Sequence, residues 1–235
     1  MNEYYLSKRL EKVGHFVMDG AVLADIGSDH AYLPVHLVKQ GKCTKAIAGE
    51  VNEGPLNSAI DQINKYNLSH LIKAKLGDGL SVLENEKVDS VVIAGMGGPL
   101  IASILENGKA LLNDVEQLVL QPNVAADHIR RWMLDNEWCL VDEEIIEEDN
   151  HVYEILVAER GDSKKHYGME MEKEIWMGPC LLNKKNHAFR VKWNREMNQL
   201  EKINNQLEQA SDQEKLVGKK EEIIKKLTWL KEELS

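Results

Sequence analysis

Through residue 137, five short apolar runs alternate with segments of helical periodicity, and that alternation leaves little choice of fold. The runs are AVLADIG at 21–27, KAIAGEV at 45–51, LIKAKLGDGL at 71–80, VDSVVIAGMGG at 88–98 and QLVLQPN at 117–123. Helical patterns follow at about 31–41, in GPLNSAIDQINKYNL with Pro55 suited to a first turn, from Pro99 onward, and in AADHIRRWMLDN. The fourth run is almost continuously apolar, as a parallel strand buried on both faces must be. Strands separated by helices imply a doubly wound, mostly parallel sheet.

The rhythm then breaks. WCLVDEEIIEED at 138–149 and HVYEILVAER at 151–160 are both strand-like, and only Asp149-Asn150 separates them. So short a link cannot hold a crossover helix, so the two strands pair as an antiparallel hairpin. The expectation is a seven-stranded mixed sheet, with a sheet domain over 1–161 and a helical domain over 162–235. In the second part Trp193, Met197, Leu200, Asn204 and Leu207 form one seam, and Leu216, Ile223, Leu227, Leu230 and Leu234 another. Ser211 and Glu214 read as a capping box between them. Two seams around a break predict a helical coiled-coil hairpin, with one continuous helix as the alternative.

Charge is divided along the same line. Residues 1–160 hold 14 Lys and Arg against 26 Asp and Glu, whereas 161–235 hold 15 against 13. Within the second part KKNHAFRVKWNR, 184–195, has five basic residues and no acid. It reads either as a solvated helix face or as a phosphate-binding patch on an otherwise acidic protein. No apolar run reaches the roughly 18 residues of a membrane span, and the polar N-terminus has no signal-peptide core. Cys43, Cys139 and Cys180 are odd in number and widely spaced. They read as reduced thiols of a cytoplasmic protein, and no metal site is expected.

In open sheets of this kind ligands sit beyond the carboxyl ends of the strands. The five tips here are Asp25-Ile26-Gly27, Glu50-Val51-Asn52, Gly77-Asp78-Gly79, Gly95-Met96-Gly97-Gly98 and Gln121-Pro122-Asn123. Any one tip can be simple turn chemistry, but five in phase with the topology are harder to dismiss. The first turn has a single glycine, and Ser28-Asp29-His30 stands where a dinucleotide fingerprint needs two more. Glu50 is placed to accept ribose hydroxyls. Asp25 disfavours a pyrophosphate at the helix N-terminus and suits a cation. Asp78 is placed to accept from an adenine amino group. Together these tips fit S-adenosylmethionine, whose ammonium and sulfonium are cationic and which has no diphosphate. Ser28, Val51, Gly79, Gly95, Met96 and Gly97 complete the expected cofactor cradle.

The segments LSKRL, ADIGSDHAYLP, GDGL, AGMGG, LQPN and HVYEI, in this order, resemble the bacterial TrmK family of tRNA adenine-22 N1-methyltransferases. The resemblance covers residues 6 to 160, and a helical C-terminal hairpin is also expected in that family. It implies a class I Rossmann-like methyltransferase that uses S-adenosylmethionine to methylate N1 of an adenine in the D-arm region of tRNA.

On that reading the base is unpaired or flipped into the pocket. Asp29, in the loop after Gly27, is the expected catalytic carboxylate, stabilising positive charge on the adenine ring. His30 hydrogen-bonds the cofactor or places the base, unless it is a structural helix-start residue. Tyr32, His151 and Tyr153 are candidates for stacking, with packing as the alternative. Asn123 is a candidate for reading an adenine edge. Arg9 is a candidate partner of the cofactor carboxylate or of a tRNA phosphate. Lys184, Lys185, Arg190, Lys192, Arg195, Lys219 and Lys220, with Lys225 and Lys226, are the expected grip on the tRNA backbone, in a protein expected to be monomeric. Dimerisation through the coiled coil is the alternative use of that hairpin.

Three rivals share part of the pattern. An oxidoreductase using a nicotinamide dinucleotide would share Glu50 but needs the missing glycines. A non-catalytic RNA-binding coiled-coil adaptor would need no cofactor pocket. A methyltransferase acting on another RNA, a protein or a small molecule would share every cofactor residue, because fold does not name the acceptor.

Overall fold

The computed structural model describes residues 6–209 and 213–235. They divide into two compact units. The first runs to Glu144 and includes Tyr153–His166. The second holds Ile145–Val152 and Tyr167–Ser235. The expected cut after Gly161 thus falls after His166 instead, and the tip of the hairpin groups with the helices. Ile145 and Val152 explain that assignment, since both pack into the helical core.

In the first unit α1 (Lys8–Phe16) starts at Ser7, whose hydroxyl accepts the Leu10 N–H at 3.2 Å. Strands β1 (Val22–Ile26), β2 (Lys45–Glu50), β3 (Ile72–Leu76), β4 (Ser90–Gly97) and β5 (Gln117–Val124) alternate with α2 (Tyr32–Lys39), α3 (Glu53–Lys65) and α4 (Gly98–Asn107). A short 3₁₀ turn, Gly79–Leu83, replaces a helix between β3 and β4. Helix α5 (Asp127–Asp135) leads to β6 (Trp138–Glu148) and β7 (His151–Arg160). The sheet order is 3-2-1-4-5-7-6. β1 pairs in parallel with β2 and β4, while β7 runs antiparallel to β5. Asp149 and Asn150 both have positive φ, 50° and 62°, as a two-residue hairpin turn of the right twist requires.

The strand order reverses between β1 and β4, so their carboxyl ends flank the crevice where such sheets bind ligands. Leu23, Ala48, Val92 and Val119 of the sheet pack with Leu33, Val35 and Leu37 of α2 and with Ala59 and Ile63 of α3. Truncating one such Leu or Ile to Ala costs about 2–5 kcal/mol.

A buried charge cluster ties α5 to the last two strands. Arg130 and Glu143 are fully buried and Glu154 nearly so. The Arg130 Nε–H donates to Glu143 at 2.7 Å, and a terminal nitrogen of the same guanidinium donates to Glu154.

The second unit contains α6 (Met171–Met177), α7 (Pro179–Lys184), α8 (His187–Glu208) and α9 (Gln213–Leu234). The Lys185–Glu233 ion pair, 2.8 Å, joins the start of α8 to the end of α9, so the long helices are antiparallel as expected. The seam residues Trp193, Leu200, Ile223, Leu227 and Leu230 are buried, with Met197, Leu207 and Leu234 packed against them. Trp176, Met177 and Leu181 fill the same core, so the seam is closed by the chain's own short helices. Buried Lys173 bonds Glu233 at 2.7 Å and Glu170 at 2.6 Å. The capping box expected at Ser211 and Glu214 lies outside the described residues and side chains. Among the described residues no helix is long and apolar enough to cross a membrane.

Candidate active site

The end of β1 carries Asp25 into the turn. Its carboxylate is buried and accepts the Ser28 hydroxyl at 2.6 Å. Burial pushes the Asp25 pKa up to about 7; the Ser28 bond and the Arg9 charge pull the other way, and the Glu50 and Asp29 charges add to the rise. Gly27 has φ 70°, and a Cβ there would overlap the Met96 methyl. Glycine is favoured here by its backbone conformation, since the Met96 methyl is the end of a flexible side chain that can move aside.

After Gly27 the chain takes three successive left-handed residues, Asp29 (φ 44°), His30 (φ 70°) and Ala31 (φ 55°), none of them glycine. Helix α2 consequently starts at Tyr32, one residue after the expected position. Left-handed residues with a Cβ cost about 1–2 kcal/mol each. A bond from another strand holds them: the Asp29 N–H donates to Glu50 Oε1 at 2.6 Å. Glu50 is buried at the end of β2, and burial raises its pKa against the opposing pull of that bond. The Asp29 side chain is 79% exposed and sits 3.5 Å from His30 Nε2. The His30 and Tyr32 rings lie 5.5 Å apart.

Across the crevice, the ends of β4 and β5 form a second group. Gly95 has φ 81° and faces the Arg9 guanidinium of α1. Gln121, fully buried, accepts from both the Gly95 N–H, at 3.0 Å, and Arg9. Arg9 lies over the Tyr153 ring, 5.5 Å from its centroid. Asn123 is exposed beside them and donates to the Gly95 carbonyl at 2.8 Å. Met96 joins the two groups through its contact with Gly27. Gly98 seats α4 so closely that a Cβ would collide with the Ala125 carbonyl.

The third tip lies to one side. Val51 and Asp78 are exposed, and Asp78 and Gly79 line a cavity of about 190 Å³ with Ser81, Glu84, Ile104 and Asn107. His151 belongs to the second unit, where its Nδ1 is 2.9 Å from the Asp149 carbonyl. Sequence reasoning gave Gln121 no role, although QPN stood among the strand tips; a glutamine directly after three apolar strand residues was the available signal.

The basic residues are distributed along the helical unit. Lys184, Arg190 and Lys219 are exposed. Lys185 is held by Glu233, and Arg195 pairs with Glu147 at 3.2 Å and the Asn150 carbonyl at 2.9 Å. Lys192 lies over the Trp193 ring, Lys225 over that of Trp229, and Lys226 pairs with Glu222. Because α8 and α9 are antiparallel, residues 184–195 sit at one end of the hairpin and Lys219 and Lys220 in the other half. Among the described residues no cluster of His, Cys, Asp or Glu is arranged to hold a metal ion.

Buried carboxylates at the ends of β1 and β2, one backbone-permissive glycine, and no glycine-rich diphosphate loop suit a cationic nucleoside. With the 3-2-1-4-5-7-6 sheet, they define a Rossmann-like S-adenosylmethionine-dependent methyltransferase. A profile of the family described as TrmK, tRNA (adenine(22)-N(1))-methyltransferase, matches residues 23–232, and the chain belongs to that family. It is 46% identical to the Bacillus subtilis (strain 168) tRNA (adenine(22)-N(1))-methyltransferase over 99% of this chain and 98% of the relative. The crystal structure of the B. subtilis M1A22 tRNA methyltransferase TrmK superposes with a TM-score of 0.95 at 45% identity, covering 98% of this chain and 99% of that one. M. capricolum TrmK, in complex with S-adenosyl-homocysteine, gives a TM-score of 0.81 at 27% identity over 97% of each chain.

Proposed function

We infer that this chain methylates N1 of adenine 22 in tRNA, as its family does, with S-adenosylmethionine as donor. The observation that carries the reading is the turn after β1, where buried Asp25 accepts the Ser28 hydroxyl and Glu50 of β2 accepts the Asp29 backbone N–H, an arrangement that supports a cationic nucleoside at these strand ends. When bound, the cofactor supplies a methyl group on a cationic sulfur, which N1 of the adenine receives.

The protein's own work is binding, orientation and charge. Asp25 faces the cationic end of the cofactor, Glu50 accepts its ribose hydroxyls, and Asp78 and Gly79, with Val51, hold its adenine. Gly27, Ser28, Gly95, Met96 and Gly97 shape the crevice wall, and Arg9, whose charge acts on Asp25, meets the cofactor carboxylate. N1 already has its lone pair, so no base is needed to create the nucleophile. Holding N1 in line with the methyl carbon is the larger contribution. Asp29 stabilises the positive charge that moves onto the adenine ring and accepts an N6 proton. His30 orients Asp29 from 3.5 Å, and Tyr153, under Arg9, offers a face for the base.

The helical unit grips the tRNA backbone, with exposed Lys184, Arg190 and Lys219 as the leading contacts and Lys185, Lys192, Arg195 and Lys220 beside them. The enzyme works as a monomer in the cytoplasm; the closed apolar seam of its helical hairpin supports the first point. The test is incubation with unmodified tRNA transcripts and labelled S-adenosylmethionine, with the product mapped by nuclease digestion and mass spectrometry. N1-methyladenosine at position 22, lost in Asp29→Ala with cofactor binding retained, is the expected result. Cofactor binding without label on any tRNA would refute the assignment of the acceptor.

A further inference from the structure

Gln121 fixes the direction of a hydrogen-bond ring at the ends of β4 and β5. Its side-chain oxygen accepts the Gly95 backbone N–H at 3.0 Å and an Arg9 N–H. Neither partner can accept a hydrogen bond, so the Gln121 amide has a single orientation. Its Nε2 must face the other way, and there it donates to Asn123 Oδ1 at 3.3 Å. Asn123 is then fixed in turn, and its Nδ2 donates to the Gly95 carbonyl at 2.8 Å. The ring starts at the N–H of Gly95 and closes on the carbonyl of the same residue. Gln121 is fully buried, while Asn123 is exposed on the crevice side of the strand ends. By valence Asn123 keeps one N–H and one lone pair on Oδ1 for a ligand.

We propose that Asn123 reads the N6 and N7 edge of the target adenine, and that Gln121 is the positioning residue that sets its polarity. An asparagine amide pairs with that edge through two bonds, Oδ1 accepting from N6 and Nδ2 donating to N7. This edge leaves N1 free, whereas a pair with the Watson–Crick edge would cover the atom that must receive the methyl group. Guanine presents acceptors at both positions, O6 and N7, so a fixed Oδ1 would face O6 and reject it. The proposal rests on adenine in tRNA being the substrate.

The test uses two ligated tRNAs that differ at the target position, one with adenosine and one with 7-deazaadenosine. The analogue keeps N1 and the N6 amino group and lacks only the N7 acceptor. Wild-type enzyme should show a kcat/KM about tenfold lower on the analogue. In Gln121→Glu the acceptor for Gly95 and Arg9 is kept but the donor to Asn123 is lost, so the ratio between the two tRNAs should fall towards one. Asn123→Asp lacks the N7 donor and should behave the same way; as a change at an exposed residue it carries the test if the buried variant does not fold. A loss of packing alone would slow both tRNAs and leave the ratio unchanged. Equal wild-type rates on the two tRNAs overturn the proposal, and a Gln121→Glu enzyme that still discriminates removes Gln121 from it. Absence of methylation on the adenosine tRNA would instead overturn the functional reading itself.

Discussion

The Ser28 hydroxyl donates a 2.6 Å hydrogen bond to Oδ2 of Asp25, and both residues are buried at the end of β1. That single bond does not offset the desolvation of the carboxylate, whose pKa stands at about 7 rather than 3.8.

Cofactor affinity should therefore depend on pH. A cationic ligand selects ionised Asp25, so binding below pH 7 must expel its proton. The Kd should rise by up to about tenfold for each pH unit below 7 and level off above it. Calorimetry in buffers of different ionisation enthalpy would register the proton release, and Asp25→Asn should abolish it while binding weakly throughout. The sign reverses for the stability of the free protein. Between pH 4 and 7 the native carboxyl keeps a proton that the unfolded chain has lost, so raising the pH across this window lowers stability. Glu50, raised by burial, acts in the same direction. A thermal midpoint for the free protein that is identical in wild type and Asp25→Asn across this range would contradict the argument.

Glu50 accepts the Asp29 backbone N–H and is the residue proposed to hold the cofactor ribose, so its substitutions should separate the two roles. Glu50→Ala should lose both, reducing cofactor affinity by about tenfold or more and the methylation rate further. Glu50→Gln keeps an oxygen for the Asp29 N–H and should preserve more of kcat than of cofactor affinity. Equal losses in the two variants, measured by calorimetry and single-turnover methylation, would remove the positioning role.

Arg130 pairs with two buried carboxylates, Glu143 and Glu154. Arg130→Met leaves both without their cation and should cost about 3–5 kcal/mol in urea unfolding. A loss below 1 kcal/mol would mean that water reaches the cluster.

Gly98→Ala places a methyl group on the Ala125 carbonyl, and backbone yields less readily than a side chain. The expected loss is about 1–3 kcal/mol, with α4 displaced. Gly54, whose surroundings are open, is the control: alanine there should leave the unfolding midpoint close to wild type.

Binding of tRNA should weaken steeply with salt. Arg190→Ala and Lys219→Ala, at exposed cations, should each lower the slope of log K against log salt by about one. Lys185→Ala should lower it less, because Glu233 already neutralises that charge. Filter binding from 50 to 200 mM salt measures all three, and an unchanged slope in the first two would exclude the hairpin from the interface.

What was legible in the sequence followed from periodicity. Asp25, Gly27, Glu50 and Asn123 could be placed because strand tips inherit their position from the alternation, and the turn at Asp149-Asn150 from its length. Pairings across distance were not. Nothing in the basic run shows that Lys185 is spent on Glu233 or Arg195 on Glu147. Gln121 carries no mark of which way its amide faces, since that is decided by Gly95 and Arg9. Helices α6 and α7 are too short for a period to declare itself, and Gly178-Pro179 interrupts them. The left-handed run at Asp29 to Ala31 runs against the local preference of Ala31, and a carboxylate at the end of β2 anchors its first residue, a pairing no local pattern announces.

That run has a spectroscopic consequence. The Asp29 amide proton belongs to no helix or sheet ladder, and its shield is one carboxylate on β2. Its exchange with deuterium thus reports the opening of this one bond, without unfolding of the sheet around it. A short bond to a carboxylate also shifts such a proton far downfield, clear of the crowded amide region. The enzyme thereby contains its own probe of whether the crevice is assembled, readable by NMR without any label on the ligand.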